Sequence, residues 1–231
     1  MPINSTINLL NINYIKLIPM IKYIFFDVSG TLLHKPSLYE KINQVLVAHG
    51  YNIDNKQLVL KHKLLSEVIF FPDRTDAEFY KNFNAELLRL LGICPKEEIV
   101  DDIFNNCTYL PWETYDDTHF LKEIDIPIGV ISNFNTTLRQ KLDQFFGPIF
   151  NDILVSEELG VAKPKIEFYK KALEVIKYKP DEVLYIGDSL KLDVEPARKI
   201  GFECLLIDRD QFYKSSPFSI QSIADIKKYL K

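Results

Sequence analysis

Cysteine, histidine and glycine are scarce in this chain of 231 residues: it has three, four and eight of them. Cys94, Cys107 and Cys204 lie far apart and form no CxxC or Cys/His cluster, which argues against a disulfide framework and structural zinc and fits a reducing cytosol. His49, His62 and His119 fall in separate stretches, so no transition-metal ligand set is evident. A surplus of positive charge is also missing. Lys and Arg number 28 against 32 Asp plus Glu, a net charge of -4, and no broad basic field is available for nucleic acid. The expected partner is a small molecule or a protein, not nucleic acid. No apolar run is long enough to cross a bilayer, so no membrane association is expected. There is no GxxxxGK[ST] and no GxGxxG, which argues against a P-loop or a dinucleotide cofactor.

The opening MPINSTINLLNINYIKLIP carries one charge, Lys16, and has neither a basic leader region nor a small-residue cleavage site. Residues 1–19 read as a poorly ordered extension ahead of a first strand that starts near Met20, the alternative being an extra edge strand. A cytoplasmic protein is expected.

What is present is a series of short β-rich apolar runs at 23–26, 126–131, 153–155, 183–186 and 204–207. Between the later ones lie helical spacings, namely Leu138, Leu142 and Phe145, then Phe168, Leu173 and Ile176, then Val194, Ala197 and Ile200 before Gly201. Continuous apolar strands alternating with helices predict an α/β fold with a parallel sheet covered on both faces. Ligands in such sheets sit beyond the carboxyl ends of the strands.

The first crossover is anomalous, because about a hundred residues separate Asp27 from Ser132 where a few tens suffice. The inserted stretch is helical. Leu38, Ile42, Val45 and Leu46 share one face, Leu58, Leu64, Leu65 and Val68 a second, and Phe79, Phe83, Leu87 and Leu90 a third. Thr75-Asp76-Ala77-Glu78 reads as a capping box for the third helix, and Pro95 as a first-turn residue of a fourth. The chain therefore divides into a core of residues 20–34 and 114–231 and a small helical domain of residues 35–113.

Four polar groups coincide with the strand ends: Asp27 after YIFF, Ser132 after IGVI, Lys163 in VAKPKIEFY after ILVS, and Asp188 after VLYIG. Singly, each has a bland reading as a helix start, a solvated lysine or a turn cap. Together they form a phosphoryl-transfer set: a carboxylate nucleophile, a hydroxyl and an ammonium for phosphate oxygens, and a second carboxylate for a cation. Two anions repel a phosphate dianion, and Mg²⁺ held by Asp27, Asp188, a backbone carbonyl and waters removes that objection. Asp193 supports the loop or the ion's surroundings, Asn133 accompanies Ser132 in binding phosphate, Gly30 serves the tight turn, and Thr31 hydrogen-bonds within it.

DVSGTL from 27 to 32, SN at 132 and 133, KP at 163 and 164, and GDSLKLD from 187 to 193 resemble, in this order, the four motifs of the haloacid dehalogenase-like hydrolase superfamily. The resemblance runs from about residue 21 to the end. It implies a Rossmann-like core, an aspartyl-enzyme intermediate on Asp27 and an inserted helical cap that shapes the substrate pocket.

Ser29 departs from the family pattern. Phosphatases of the family usually place there an Asp that protonates the leaving group and activates water. A serine hydroxyl has no pKa suited to that work, although its backbone carbonyl can still face Mg²⁺. The expected lesion is a loss of ~10²- to 10⁴-fold in acid/base assistance. Three readings compete: a slow or specialised Mg²⁺-dependent phosphohydrolase acting on a small phosphorylated metabolite, a metal-independent 2-haloacid dehalogenase, and a catalytically silent phospho-ligand binder. Asp188, in a metal-binding form of its motif, favours the first. His34, near the hinge, reads as a solvent-facing linker histidine rather than a replacement acid/base group. Phe70-Phe71-Pro72-Asp73-Arg74 reads equally as a substrate-facing loop or as cap packing, and Trp112 and Tyr115 as residues packed between the domains.

Overall fold

The computed structural model describes residues 20–70, 75–213 and 216–230. The expected extension at 1–19 and Phe71 to Arg74 of the cap loop lie outside the described residues.

In chain order the strands are β1 (Tyr23–Phe26), β2 (Leu33–His34), β3 (Glu113–Thr114), β4 (Ile128–Ser132), β5 (Asp152–Val155), β6 (Val183–Gly187), β7 (Glu203–Ile207) and β8 (Ser219–Ile220). The helices are α1 (Leu38–Ala48), α2 (Asn55–Val68), α3 (Ala77–Leu90), α4 (Glu97–Cys107), α5 (Leu138–Phe146), α6 (Ser156–Leu159), α7 (Ile166–Ile176) and α8 (Glu195–Lys199). Six strands form one parallel sheet in the order β5-β4-β1-β6-β7-β8, which is the Rossmann-like α/β architecture expected.

β1 lies mid-sheet and is buried throughout. Its alternating side chains enter two separate layers. Ile24 and Phe26 pack with Leu138 and Leu142 of α5, while Tyr23 and Phe25 pack with Phe168, Tyr169 and Ala172 of α7. Burial on both faces is why the strand reads as unbroken apolar sequence. Tyr23 crosses β4 to donate its hydroxyl to Asp152 at 2.6 Å. Only a glycine leaves room for this, since a Cβ at Gly129 falls 2.5 Å from that hydroxyl.

The insertion between β1 and β4 leaves and returns through one antiparallel ribbon, with Leu33 opposite Thr114 and His34 opposite Glu113. α1 to α4 enclose a core of their own, in which Ile42, Leu46, Leu58, Phe83, Leu87 and Ile99 are buried. Four expectations need correction here. On α2 only Leu58 and Leu65 are buried, whereas Leu64 and Val68 are 44% and 74% exposed, because the helix turns Lys63 and Glu67 toward the sheet. Leu90, at 46% exposed, is likewise outside the cap core. Asp76, not Thr75, caps α3, accepting from the Phe79 N–H at 2.7 Å, and α4 starts at Glu97, which leaves Pro95 outside its first turn.

His62 of α2 meets Tyr39 edge-on at 5.3 Å and lies 4.9 Å from the Phe83 ring. Burial, with help from the adjacent Lys63 charge, lowers its pKa to about 4. The unfolded chain binds a proton near the ordinary value of 6.5 that the folded chain refuses, so His62 makes stability fall as pH drops from 6.5 toward 4. Replacing His62 by Phe is expected to flatten thermal midpoint against pH across that window. An unchanged slope contradicts the neutral ring packed between Tyr39 and Phe83.

Candidate active site

Asp27 continues the β1 ladder one residue past the strand, its N–H donating to the Ile186 carbonyl at 2.8 Å, and it is 5% exposed. The chain then folds over, and the Val28 carbonyl accepts from the N–H groups of Thr31, Leu32 and Leu33. Gly30 is required there twice. Its φ is +88°, and a Cβ would fall 2.4 Å from the Asp188 Oδ2 at the end of β6. The turn after β1 therefore lies directly against the carboxylate after β6.

Lys163 completes the centre. Its ammonium donates to Asp27 Oδ1 at 2.5 Å and to Asp193 Oδ1 at 2.7 Å, and all three side chains are buried. Asp193 also accepts from the Tyr185 hydroxyl at 2.9 Å and the Ser189 N–H at 3.0 Å. Its carboxylate fits beneath the strand end because residue 187 is glycine, where a Cβ would lie 2.3 Å from Asp193 Cγ. Asn133, expected beside Ser132 at the phosphate, bonds to the lysine segment. Its amide accepts from the Lys163 N–H at 2.7 Å and donates to the Lys163 carbonyl at 3.0 Å, which fixes the backbone from which the lysine reaches. The Lys163–Pro164 peptide is cis. Ser132 ends β4, beside β1, and is buried, while Ser29 is exposed on the turn.

Electrostatically the centre is rich in carboxylate. Burial opposes the Lys163 charge, but Asp193 and Asp27 outweigh it and hold its pKa above the usual lysine range. Burial also pushes Asp27 upward, Lys163 pulls it back, and Asp193 and Asp188 push it up again. One carboxylate oxygen from each of Asp27, Asp188 and Asp193 lies within 4.8 Å of the others. Such hard oxygen donors suit Mg²⁺, and the close approach of the Gly30 turn to Asp188 leaves a cradle that any larger residue would fill.

Three residues at the site escaped the sequence reading. Lys63 reaches down from α2 to Asp188, donating to Oδ2 at 2.5 Å and to the backbone carbonyl at 2.6 Å. Glu67 accepts from the Leu190 and Lys191 N–H groups at 3.2 and 3.1 Å and from the Ser189 hydroxyl at 3.2 Å. Arg209, just beyond β7, donates to the Gly30 and Thr31 carbonyls at 3.2 and 2.9 Å while pairing with both oxygens of Asp117. Its guanidinium lies 3.7 Å from the Tyr115 ring centroid, and the His34 ring stacks on Tyr115 at 4.0 Å. The Lys63/Glu67 pair, four residues apart on an amphipathic helix, was the available signal. Arg209 was marked only by its place after a strand.

Two smaller expectations are corrected. The Thr31 hydroxyl is buried and has no hydrogen-bond partner among the described residues; Thr31 bonds within the turn through its N–H, and Arg209 holds its carbonyl. His34 is half-buried in the aromatic stack, where burial lowers its pKa, rather than facing solvent. Trp112 packs against the core, 6.4 Å from the Phe134 ring, and Phe70 is 74% exposed. A surface depression of about 600 Å³ runs along α1, lined by Tyr39, Asn43 and Val47 among others, and contains none of the strand-end groups.

The haloacid dehalogenase-like hydrolase family model matches residues 21–201, and the chain belongs to that family. The chain is similar to a glyceraldehyde 3-phosphate phosphatase of Methanocaldococcus jannaschii, 28% identical over 233 residues, spanning 92% of this chain and 99% of the relative. Its fold resembles that of the magnesium-bound hydrolase YfnB of Bacillus subtilis, with a TM-score of 0.64, 18% identity, and coverage of 91% and 99%. It also resembles L-2-haloacid dehalogenase of Xanthobacter autotrophicus, with a TM-score of 0.59, 21% identity, and coverage of 90% and 98%. The fold is thus shared with a dehalogenase, while the sequence is similar to that of a phosphatase.

Removing one partner of a buried charge cluster strands the others. Asp193→Ala is expected to lower stability in urea by about 3–5 kcal/mol. Glu123→Ala, which breaks the exposed pair with Lys227, is expected to cost less than about 1 kcal/mol. Equal losses would contradict the central place given to Asp193.

Proposed function

We propose that the protein is a phosphohydrolase that acts on a small phosphorylated metabolite through an aspartyl-phosphate on Asp27, with Mg²⁺ as its cation. The observation that carries this reading is the Lys163 ammonium 2.5 Å from Asp27 Oδ1, with oxygens of Asp188 and Asp193 within 4.8 Å. Likeness to a glyceraldehyde 3-phosphate phosphatase along nearly the whole chain supports the substrate class and puts that compound first in a screen.

One Asp27 oxygen attacks phosphorus as the bond to the leaving oxygen breaks. Water then attacks the same phosphorus, the bond to Asp27 breaks, and phosphate departs with the carboxylate restored. Lys163 holds the attacking carboxylate and attracts the phosphoryl oxygens, and the Ser132 hydroxyl donates to them. Asp27, Asp188 and the Ser29 carbonyl are the ligands for Mg²⁺, and Asp193 supports them through Lys163 and the 189 backbone. When bound, the ion offsets the carboxylate charge and polarises the phosphoryl group. The helices of residues 35–113 serve as the lid, hinged at the β2/β3 ribbon. With serine at 29, the leaving oxygen takes its proton from solvent or substrate, which slows substrates with poor leaving groups.

One observation favours a second reading. Lys63 gives Asp188 a counter-ion of the chain's own, an arrangement open to metal-independent C–halogen hydrolysis on the same Asp27.

Phosphate release across sugar phosphates, acyl phosphates and nucleotides is expected with Mg²⁺ and not with EDTA, and is abolished by Asp27→Asn. Ser29→Asp is expected to raise turnover of alkyl phosphates, whose leaving oxygen needs the proton most, by ~10²-fold or more, and that of aryl phosphates by less. Halide release from 2-haloacids in EDTA overturns the phosphatase reading. An unchanged rate in Ser29→Asp shows that another group already moves the proton.

A further inference from the structure

Helix α2 places an ammonium against the carboxylate that would hold the proposed Mg²⁺. The Lys63 Nζ contacts both the carboxylate and the backbone carbonyl of Asp188, at 2.5 and 2.6 Å, and Glu67 lies 3.8 Å away. The Lys63 and Asp188 side chains are only 17% and 23% exposed, so water screens this pair weakly. The contact does not stand alone. Glu67 collects the donors of residues 189–191, and the Lys191 ammonium returns to the α2 carbonyls of Val68 and Ile69 at 3.2 and 2.9 Å. The loop after β6 and the cap helix are therefore clasped by three charged side chains, and the clasp runs through Asp188.

We infer that Lys63 is a tethered cation that holds Asp188 until a divalent ion takes its place, so that metal loading and release of α2 from the sheet edge are one event. This inference rests on the Mg²⁺ reading of Asp27 and Asp188 given above. Its physical basis is exclusion. An ammonium at hydrogen-bond distance from Asp188 Oδ2 and a doubly charged ion on the same carboxylate repel each other at close range with little water between them. The ion must displace Lys63, and Lys63 takes with it one side of the clasp. Lys63 is thus a positioning residue: it keeps Asp188 aimed at the Gly30 turn, and it sets how tightly the ion binds.

Reciprocity between the two sites follows from linkage: whatever weakens the clasp strengthens metal binding. If the clasped form holds about nine-tenths of the metal-free protein, Lys63→Met binds Mg²⁺ about tenfold more tightly than the native protein. Glu67→Gln keeps the ammonium and weakens only its support, and is expected to fall between the two. It also keeps the test open should Lys63→Met fold poorly. The readouts are calorimetric titration of the full chain with Mg²⁺, and hydrogen exchange of the α2 amides with and without the ion. Exchange in α2 is expected to rise on adding Mg²⁺ to the native protein and to be high already in Lys63→Met. Equal Mg²⁺ affinity in all three proteins, or α2 exchange that does not rise with the ion, overturns the displacement while leaving the metal reading intact. Failure of every form to bind Mg²⁺ removes both.

Discussion

The buried ammonium of Lys163 is the tie on which the centre depends. It bonds to Asp27 after β1 and to Asp193 beyond β6, in a space almost closed to water. Two carboxylates at that depth repel each other and lose hydration, and only a cation with a fixed position makes their proximity tolerable. That position is built into the backbone: the Asn133 amide bonds both the N–H and the carbonyl of Lys163, so the end of β4 fixes where the lysine begins. One charge cluster thus sets the relative positions of three chain segments far apart in sequence.

The surrounding backbone is cut to fit this cluster. Gly187 lets the Asp193 carboxylate lie beneath the strand end, and Gly30 lets the first turn rest on Asp188. Arg209 fixes that turn from outside by its two carbonyls, with Asp117 and the Tyr115 ring behind it. The cap meets the core at the same loop, through Lys63, Glu67 and Lys191. The buried charge cluster and the inserted helices therefore share a boundary at the loop after β6, with Asp188 in contact with both.

Much of this was legible from residue order. β1, β4 and β6 are buried on both faces and announce themselves as unbroken apolar runs, and the long gap between Asp27 and Ser132 announces an insertion. Asp27, Lys163 and Asp188 were marked by their position after strands, where a parallel sheet gathers its ligands. What escaped notice depends on tertiary packing. β2, β3 and β8 have two residues each, too few to show a period. On α2 the apolar stripe admits more than one buried face, and the docking of Lys63 and Glu67 decides against Leu64 and Val68. Asn133 bonds to a residue 30 positions away, and Arg209 reaches the first turn from 178 or more positions away, which no local pattern reveals.

The chemistry assigned to the centre reduces to whether Asp27 accepts a phosphoryl group beside a divalent ion. Beryllofluoride, which adds to carboxylates as a phosphoryl mimic, tests this directly by fluorine NMR. An adduct on Asp27 that needs Mg²⁺ and vanishes in Asp27→Asn is the predicted result. No adduct with Mg²⁺ present, or an adduct indifferent to both the ion and Asp27, would contradict the account.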